Sequence, residues 1–306
     1  MHLILASLLV VASAAQTPVI LDTDIGDDID DTWALAMLLG SPEIDLKLIV
    51  TASTDTPTKT RLVAKILESM GRTDVPIGTG VKTGSDPINQ AKWLGDNTLD
   101  RYKGTVHEDG VGKMIEMINA SKDKVTLCVI GPQTNIKAAL ERDPSIAQKA
   151  RVVSMAGSVY IGYDGNPEPQ PEFNVFRDVA AARAVFAAPW EITIAPLDTC
   201  GALRLIGERY EAVKKSANPR AATTIANYDL WVNRHHHAEN SSSILFDTEA
   251  AYLSIDESLC EIQTVNLVID DKGSTVPDEK GRPVRCALKW KNRDAFEKLL
   301  VKRLTE

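Results

Sequence analysis

Val19-Ile20-Leu21-Asp22-Thr23-Asp24-Ile25-Gly26-Asp27-Asp28-Ile29-Asp30-Asp31 is the stretch on which the reading of this chain turns. It places six carboxylates within ten residues, Asp22 to Asp31, directly behind a short apolar run. The run Val19–Leu21 predicts a buried strand, and the apolar segment Trp33 to Leu39 predicts a helix. A buried strand that ends in a polar turn and opens a helix is where open α/β sheets carry their active sites. Carboxylates this dense repel one another unless a cation sits among them. A hard divalent ion held by oxygen atoms meets that need. The plain alternative is a solvated acidic loop in which one Asp caps the helix.

Away from this stretch, apolar β-rich runs alternate with segments of helical period. Strands are expected at Val19–Leu21, Leu46–Val50, Val75–Gly78, Lys124–Ile130, Arg151–Met155, Ile192–Pro196 and Val265–Ile269. Helices are expected near Asp31–Gly40, Thr58–Met70, Gly112–Ala120, Thr134–Arg142, Val179–Ala187 and Arg204–Ser216. The rhythm predicts an α/β fold: an open, mostly parallel central sheet with helices on both faces. The early strands lack polar alternation, as strands covered on both faces do. Residues 219–246 read as a helical or loop insertion and residues 271–285 as a hairpin-type excursion. No internal repeat or low-complexity linker divides the chain, so a single domain is expected over residues 17–306.

Composition narrows the partners. The 306 residues carry a net charge of −8, which argues against nucleic acid and against an anionic membrane surface. Beyond the first residues no apolar run is long enough to span a bilayer. Residues 1–15 read as a secretory signal peptide, with an apolar core at Leu3–Val11 followed by Ala12-Ser13-Ala14-Ala15. A buried first strand is the other reading of that segment. The sequons Asn119-Ala120-Ser121 and Asn240-Ser241-Ser242 agree with export, giving a secreted protein that begins near Gln16. The four cysteines, Cys128, Cys200, Cys260 and Cys286, are far apart in sequence, which excludes a CxxC metal site and leaves any disulfide pairing open. Cys128 lies inside an apolar run and reads as a buried free thiol.

Two motif readings of the acidic stretch can be weighed. An EF-hand loop starting at Asp22 needs an acid at its twelfth position, where Trp33 stands, so it is rejected. A haloacid-dehalogenase-type phosphatase also uses Asp-x-Asp after a first strand, with Asp22 as nucleophile and Asp24 as acid. That pattern wants Thr or Val two residues after Asp24, where Gly26 stands.

Asp22-Thr23-Asp24-Ile25-Gly26 with Asp30-Asp31-Thr32-Trp33-Ala34-Leu35 resembles the N-terminal signature of the inosine-uridine-preferring nucleoside hydrolases. Three later segments resemble that family in the same order: Ile130-Gly131-Pro132-Gln133-Thr134-Asn135, then Asn166 with Glu172-Phe173-Asn174, then Phe246-Asp247-Thr248 with Ala251-Tyr252-Leu253. The resemblance covers nearly the whole chain after its first residues. It implies a Ca²⁺ ion at the bottom of a ribose pocket, held by Asp24, Asp31, Asp247 and the backbone carbonyl of Ile130. It also implies that Asp24, beside a water on that ion, acts as general base on the N-glycosidic bond of a small ribonucleoside, giving free base and ribose. Asp30 then grips the 2′- and 3′-hydroxyls, Asn174 the 3′-hydroxyl, and Asn166 with Glu172 the 5′-hydroxyl. The family's assemblies imply a homodimer or homotetramer.

This chain departs from the family pattern in several places. The acidic pair following Gly26 is spaced so that Asp28 competes with Asp30 for the ribose role. The family's ribose-binding Asn after the second strand has Asp55 as its nearest counterpart. Phe246 stands where members often carry a His that protonates the leaving base, and Phe has no proton to give. Stacking by Trp93, Tyr228 or Trp231, or a replacement acid among His235-His236-His237, are the sequence's candidates for that task. A secreted nucleoside-binding protein without turnover is the second function class compatible with Phe246.

Overall fold

The computed structural model describes residues 16–232 and 240–306. The leader reading and His235–His237 lie outside the described residues.

The strands in chain order are β1 Thr17–Thr23, β2 Ile44–Thr51, β3 Ile77–Thr79, β4 Val106–His107, β5 Val125–Val129, β6 Ala150–Met155, β7 Ile192–Ala195, β8 Cys260–Ile269, β9 Thr275–Pro277 and β10 Arg282–Trp290. They form one sheet in the order β4-β3-β2-β1-β5-β6-β7-β10-β8-β9. Every pairing from β4 to β10 is parallel. Only β8 against β10 and β9 against β8 run antiparallel.

The α-helices are α1 Asp30–Leu39, α2 Thr56–Met70, α3 Ala91–Leu94, α4 Gly110–Ala120, α5 Thr134–Arg142, α6 Phe173–Arg177, α7 Val179–Ala187, α8 Leu197–Cys200, α9 Glu208–Lys215, α10 Pro219–Val232, α11 Phe246–Leu253 and α12 Arg293–Thr305. They pack on both faces of the sheet. One apolar core joins α1, α2, α10, α11 and α12 to one face, and a second joins α4, α5 and α7 to the other.

The order of the strands places the site. From β1 the chain steps outward through β2, β3 and β4, then returns to lay β5 against the other side of β1. The carboxyl ends of β1 and β5 therefore flank the point where the winding reverses, which is where open α/β sheets leave a crevice. β1 ends at Asp22-Thr23-Asp24 and β5 at Val129-Ile130. Val19, Ile20 and Leu21 are completely buried because helices cover both faces there. All ten residues of α1 are buried, so this helix has no solvent face and its sequence is apolar all round after its first acids.

The late part of the chain differs in detail from expectation. β8 starts at Cys260, five residues before the apolar run that announces it, and β10 was not expected as a strand. Both mix exposed polar residues with buried ones, unlike the unbroken apolar runs of the early strands. The excursion over 271–285 is a turn followed by the short β9, which returns antiparallel along β8. The helix expected from Arg204 begins at Glu208, after Gly207 adopts a φ of 59°. Cys128, Cys200, Cys260 and Cys286 are all buried free thiols.

Candidate active site

The acidic turn is built by local bonds before any long-range contact is needed. Thr23 Oγ1 accepts from the Ile25 amide at 3.1 Å and donates to the Asp31 carboxylate, folding the turn back onto the start of α1. Gly26 takes a φ of 119°, which side chains disfavour, and lets the chain reverse. Asp30 and Asp31 occupy the first turn of α1, where the helix dipole favours anions. Asp247 occupies the first turn of α11, and its amide donates to Asp30 Oδ2 at 3.2 Å. Two helix N-termini thus bring together carboxylates more than two hundred residues apart. One oxygen from each of Asp30, Asp31 and Asp247 lies within 4.8 Å of the others, and all three residues are buried.

Asp24 stands beside this triad at the end of β1. Gly131 makes room for it: a Cβ there would lie 2.9 Å from both the Asp24 amide and Asp24 Oδ1. The Asn174 side-chain amide donates to the carbonyls of Met155 at 3.1 Å and Ile130 at 3.4 Å, so it braces the ends of β5 and β6. The Glu172 carboxylate caps α6 and accepts from the amides of Asn174 at 2.8 Å, Gly157 at 3.0 Å and Val175 at 3.3 Å. These groups face one cavity of about 370 Å³. Its floor is acidic, with Asp24, Asp30, Asp31 and Asp247 beside Ile130 and Asn174. Its wall is aromatic, formed by Tyr163, Phe173, Trp231 and Phe246.

Burial dominates the acid–base behaviour of the floor. It pushes the Asp24 carboxyl up to about 6, with Lys59 pulling the other way. It pushes Asp30, Asp31 and Asp247 well above the usual carboxylate range, and their mutual repulsion adds to the effect. Glu172 rises to about 7 for the same reason, opposed by its three amide donors. A divalent cation among the three clustered carboxylates reverses both penalties. The donor set fits a hard ion, because the cavity lining offers carboxylates, a carbonyl and an amide and no imidazole or thiol among the described residues.

Most of the expected site residues meet here. Asp24, Asp30, Asp31, Ile130, Glu172, Asn174, Trp231 and Asp247 all line the cavity. Asp30 joins Asp31 and Asp247 in the tightest cluster, a position the sequence reading assigned to Asp24. Asp28 lines the cavity as well.

Three expected residues stand elsewhere. Asp55 precedes α2 and spends its carboxylate on Thr58 at 2.6 Å and Lys82 at 3.0 Å, which hold it below the usual range. Asn166 lies in an exposed turn where its Oδ1 accepts from the Glu168 amide at 3.0 Å. Trp93 packs on the core with the Lys65 ammonium 4.5 Å from its ring centre. Each side chain satisfies a local need that its position in the sequence does not reveal. Tyr228 is likewise a core residue, edge-on to Trp33, with its hydroxyl accepting from the Ser243 amide at 2.8 Å. Asp22 is fully buried, does not line the cavity and accepts from Asn135 Nδ2 at 2.7 Å. It is therefore not placed to be a phosphatase nucleophile.

Sequence reasoning missed the supports of the acidic turn. Lys59 is completely buried and donates to the Asp24 carbonyl at 2.6 Å and to Asp27 Oδ2 at 2.8 Å. Its signal was present: Lys59 sits on the same helical stripe as Leu62, Val63 and Ile66, where an unpaired charge would be costly. Asn89 and Trp231 both donate to the Asp27 carbonyl at 3.0 Å, and Gln90 donates to the Asp28 carbonyl at 2.6 Å. No short motif marks Asn89 or Gln90.

Known proteins share this fold. Residues 19–300 match the family model described as inosine-uridine preferring nucleoside hydrolase. The chain is 34% identical over 240 residues to the pyrimidine-specific ribonucleoside hydrolase RihA of Enterobacter sp. (strain 638), covering 72% of each. It is 30% identical over 236 residues to the protein of that name from Escherichia coli O1:K1, covering 71% of this chain and 72% of the relative. In fold it matches a plant nucleoside hydrolase with a TM-score of 0.82 at 24% identity, over 95% of this chain and 99% of the other. A purine-preferring ribonucleoside hydrolase from Gardnerella vaginalis superposes with a TM-score of 0.78 at 21% identity, over 94% and 98%. With its match running from the first strand into the last helix, the chain belongs to the inosine-uridine preferring nucleoside hydrolase family.

Proposed function

We propose that this chain hydrolyses the N-glycosyl bond of ribonucleosides in a calcium-dependent reaction in which Asp24 is the general base. Family membership carries the reaction class: a hydrolase acting on N-glycosyl bonds of small ribonucleosides. The finer reading rests on one observation, the convergence of Asp30, Asp31 and Asp247 beside Asp24 at the floor of a nucleoside-sized cavity.

Asp31, Asp247 and the Ile130 carbonyl would hold the ion, with Asp24 and Asp30 at its edge. Calcium suits an all-oxygen set of irregular geometry better than magnesium, which demands a near-ideal octahedron. When bound, such an ion supplies positive charge that grips a vicinal diol and acidifies water. The protein's own groups do the rest. Asp24, buried and drawn toward neutral pH, accepts a proton from the attacking water. Asp30 and Asn174 orient the ribose hydroxyls, and Glu172 supplies an acceptor at the sugar's far end. The acidic floor favours the positive charge that develops on the sugar over the neutral ground state. A site built to bond a hydroxyl discriminates against a sugar that lacks it, so ribonucleosides are favoured over deoxyribonucleosides.

The test is a panel of purine and pyrimidine nucleosides incubated with pure protein, with and without chelator. Release of base and ribose that stops on chelation and returns with calcium supports the reading. Nucleoside binding without release would leave a binding protein. The same proposal places the chain outside the cell after loss of residues 1–15, as a homodimer or homotetramer. N-terminal sequencing of the exported product, expected to start near Gln16, and its sedimentation behaviour check both points.

A further inference from the structure

We propose that the Tyr163 hydroxyl donates the hydrogen bond, and then the proton, that lets the base depart. The inference rests on the hydrolase reading above. Breaking the bond between the sugar and the ring nitrogen leaves an electron pair on that nitrogen. A proton delivered there turns a poor anionic leaving group into a neutral one.

Among the described residues, the side-chain N–H and O–H donors that line the cavity outside its carboxyl groups can be taken one at a time. Asn89 directs its amide to the Asp27 carbonyl, and Asn174 directs its amide to the carbonyls of Ile130 and Met155. The Trp231 indole N–H serves the Asp27 carbonyl. Phe246, at the head of α11 next to Asp247, has nothing to donate. Tyr163 differs from all of these. Its hydroxyl oxygen accepts the Phe173 amide at 2.9 Å, which anchors the oxygen and leaves the O–H hydrogen to be aimed elsewhere. Its ring stands edge-on to Phe246, with centroids 6.0 Å apart and planes at 81°, and it lines the same cavity as the acidic floor. Burial and the nearby Glu172 push the phenol further up, so it stays a neutral hydrogen-bond donor in the resting site and yields its proton only against the negative charge that grows on the departing base.

The step balances. The glycosidic bond breaks with its electron pair going to the base nitrogen, which takes the Tyr163 proton. The water oxygen bonds to the sugar carbon and its proton passes to Asp24. Solvent then carries the Asp24 proton back to the tyrosinate, leaving base, ribose and the starting enzyme.

The experiment compares nucleosides with p-nitrophenyl β-D-ribofuranoside, whose phenolate leaves without a proton. In the metal-loaded full chain, Tyr163→Phe is expected to lower kcat on nucleosides by about 100-fold or more and on the aryl riboside by less than about three-fold. A purely structural tyrosine would lower both alike, and that result overturns the proposal. Wild type that turns over the aryl riboside but no nucleoside defeats the nucleoside reading and the proposal with it, whereas equal losses in Tyr163→Phe of an active wild type overturn the proposal alone. Wild type active on neither substrate defeats the hydrolase reading itself. The melting temperature of the variant confirms that it folds, and the wild-type comparison stands even where it does not.

Discussion

The floor and the wall of the cavity are made in different ways. The floor is carried at the ends of regular elements: Asp24 just after β1, Asp30 and Asp31 on α1, Ile130 after β5 and Asp247 on α11. Its carboxyl groups are buried, with Asp31 bonded by the Thr23 hydroxyl and Asp30 by the Asp247 amide. The wall stands at the ends of helices and in one turn, with Phe173 opening α6 and Phe246 opening α11, and it is more open to solvent than the floor. Tyr163 lies in a loop with Asp164 and Gly165 at positive φ, Phe173 is half exposed, and Trp231 stands near the end of α10. The floor suits chemistry that tolerates no displacement, and the wall suits contact with a flat apolar base that can vary. The contrast teaches that one cavity can be rigid where the bond breaks and adaptable where the substrate is recognised.

The sharpest way to break this contrast is at the floor. Asp24→Asn is expected to lower kcat on nucleosides by about 10²–10⁴-fold while calcium still binds and the melting curve is retained. Activity near wild type in that variant would remove Asp24 from the proposed role.

The next effect concerns stability. Lys59→Met removes a buried ammonium from the acidic turn and is expected to cost about 1–3 kcal/mol in metal-free protein, since the Asp24 carbonyl loses its donor while Asp27 keeps part of its hydration. Calcium should recover part of that loss, because it offsets the same carboxylates. Chemical denaturation with and without calcium measures both numbers, and equal losses in the two states would show that Lys59 serves packing alone.

A pH dependence follows from the raised carboxyls. Asp22 and Glu172 rise to about 7 and Asp24 to about 6, whereas the same groups in the unfolded chain lose their protons near pH 4. Between these limits the native state holds protons that the unfolded state has released. Stability of the metal-free protein therefore falls as pH rises from about 4 to about 7, the opposite of a salt-bridged carboxylate. Calcium held by Asp31 and Asp247 should flatten the slope, because its charge favours the ionised form of the neighbouring carboxyls. Thermal unfolding at pH 5, 6 and 7, in chelator and in calcium, checks the sign.

The wall should respond least. Trp231→Ala is expected to raise KM for nucleosides by about ten-fold with kcat lowered far less, since a lost aromatic contact costs about 0.5–1.5 kcal/mol beyond its area. A fall in kcat as large as that of Asp24→Asn would mean that the wall shares in the chemistry.

Much of the floor was legible in sequence because dense like charge behind a buried strand is costly anywhere except at a cation site. The early strands were legible for a related reason: covered on both faces, they read as unbroken apolar runs. Trp93, Asn166 and Asp55 were misplaced because residue type does not say which side of a loop faces the cavity. Lys59 escaped notice because a lysine within a helix ordinarily lies at the surface, although its place on the apolar stripe of α2 points inward. Tyr163 carried no signal, since its importance depends on its ring meeting Phe246 and its hydroxyl meeting the Phe173 amide.

By itself, the sequence determined the alternation of strand and helix, the acidic turn after β1 and the chemistry its carboxylates can support, because period and charge density are local properties of a chain. Only the tertiary structure decided that Asp30 completes the tightest acid cluster, that Lys59 neutralises the turn and that Tyr163 stands on the wall. Those outcomes depend on which distant segments the reversal of winding at β1 and β5 brings together, and no local property encodes that distance.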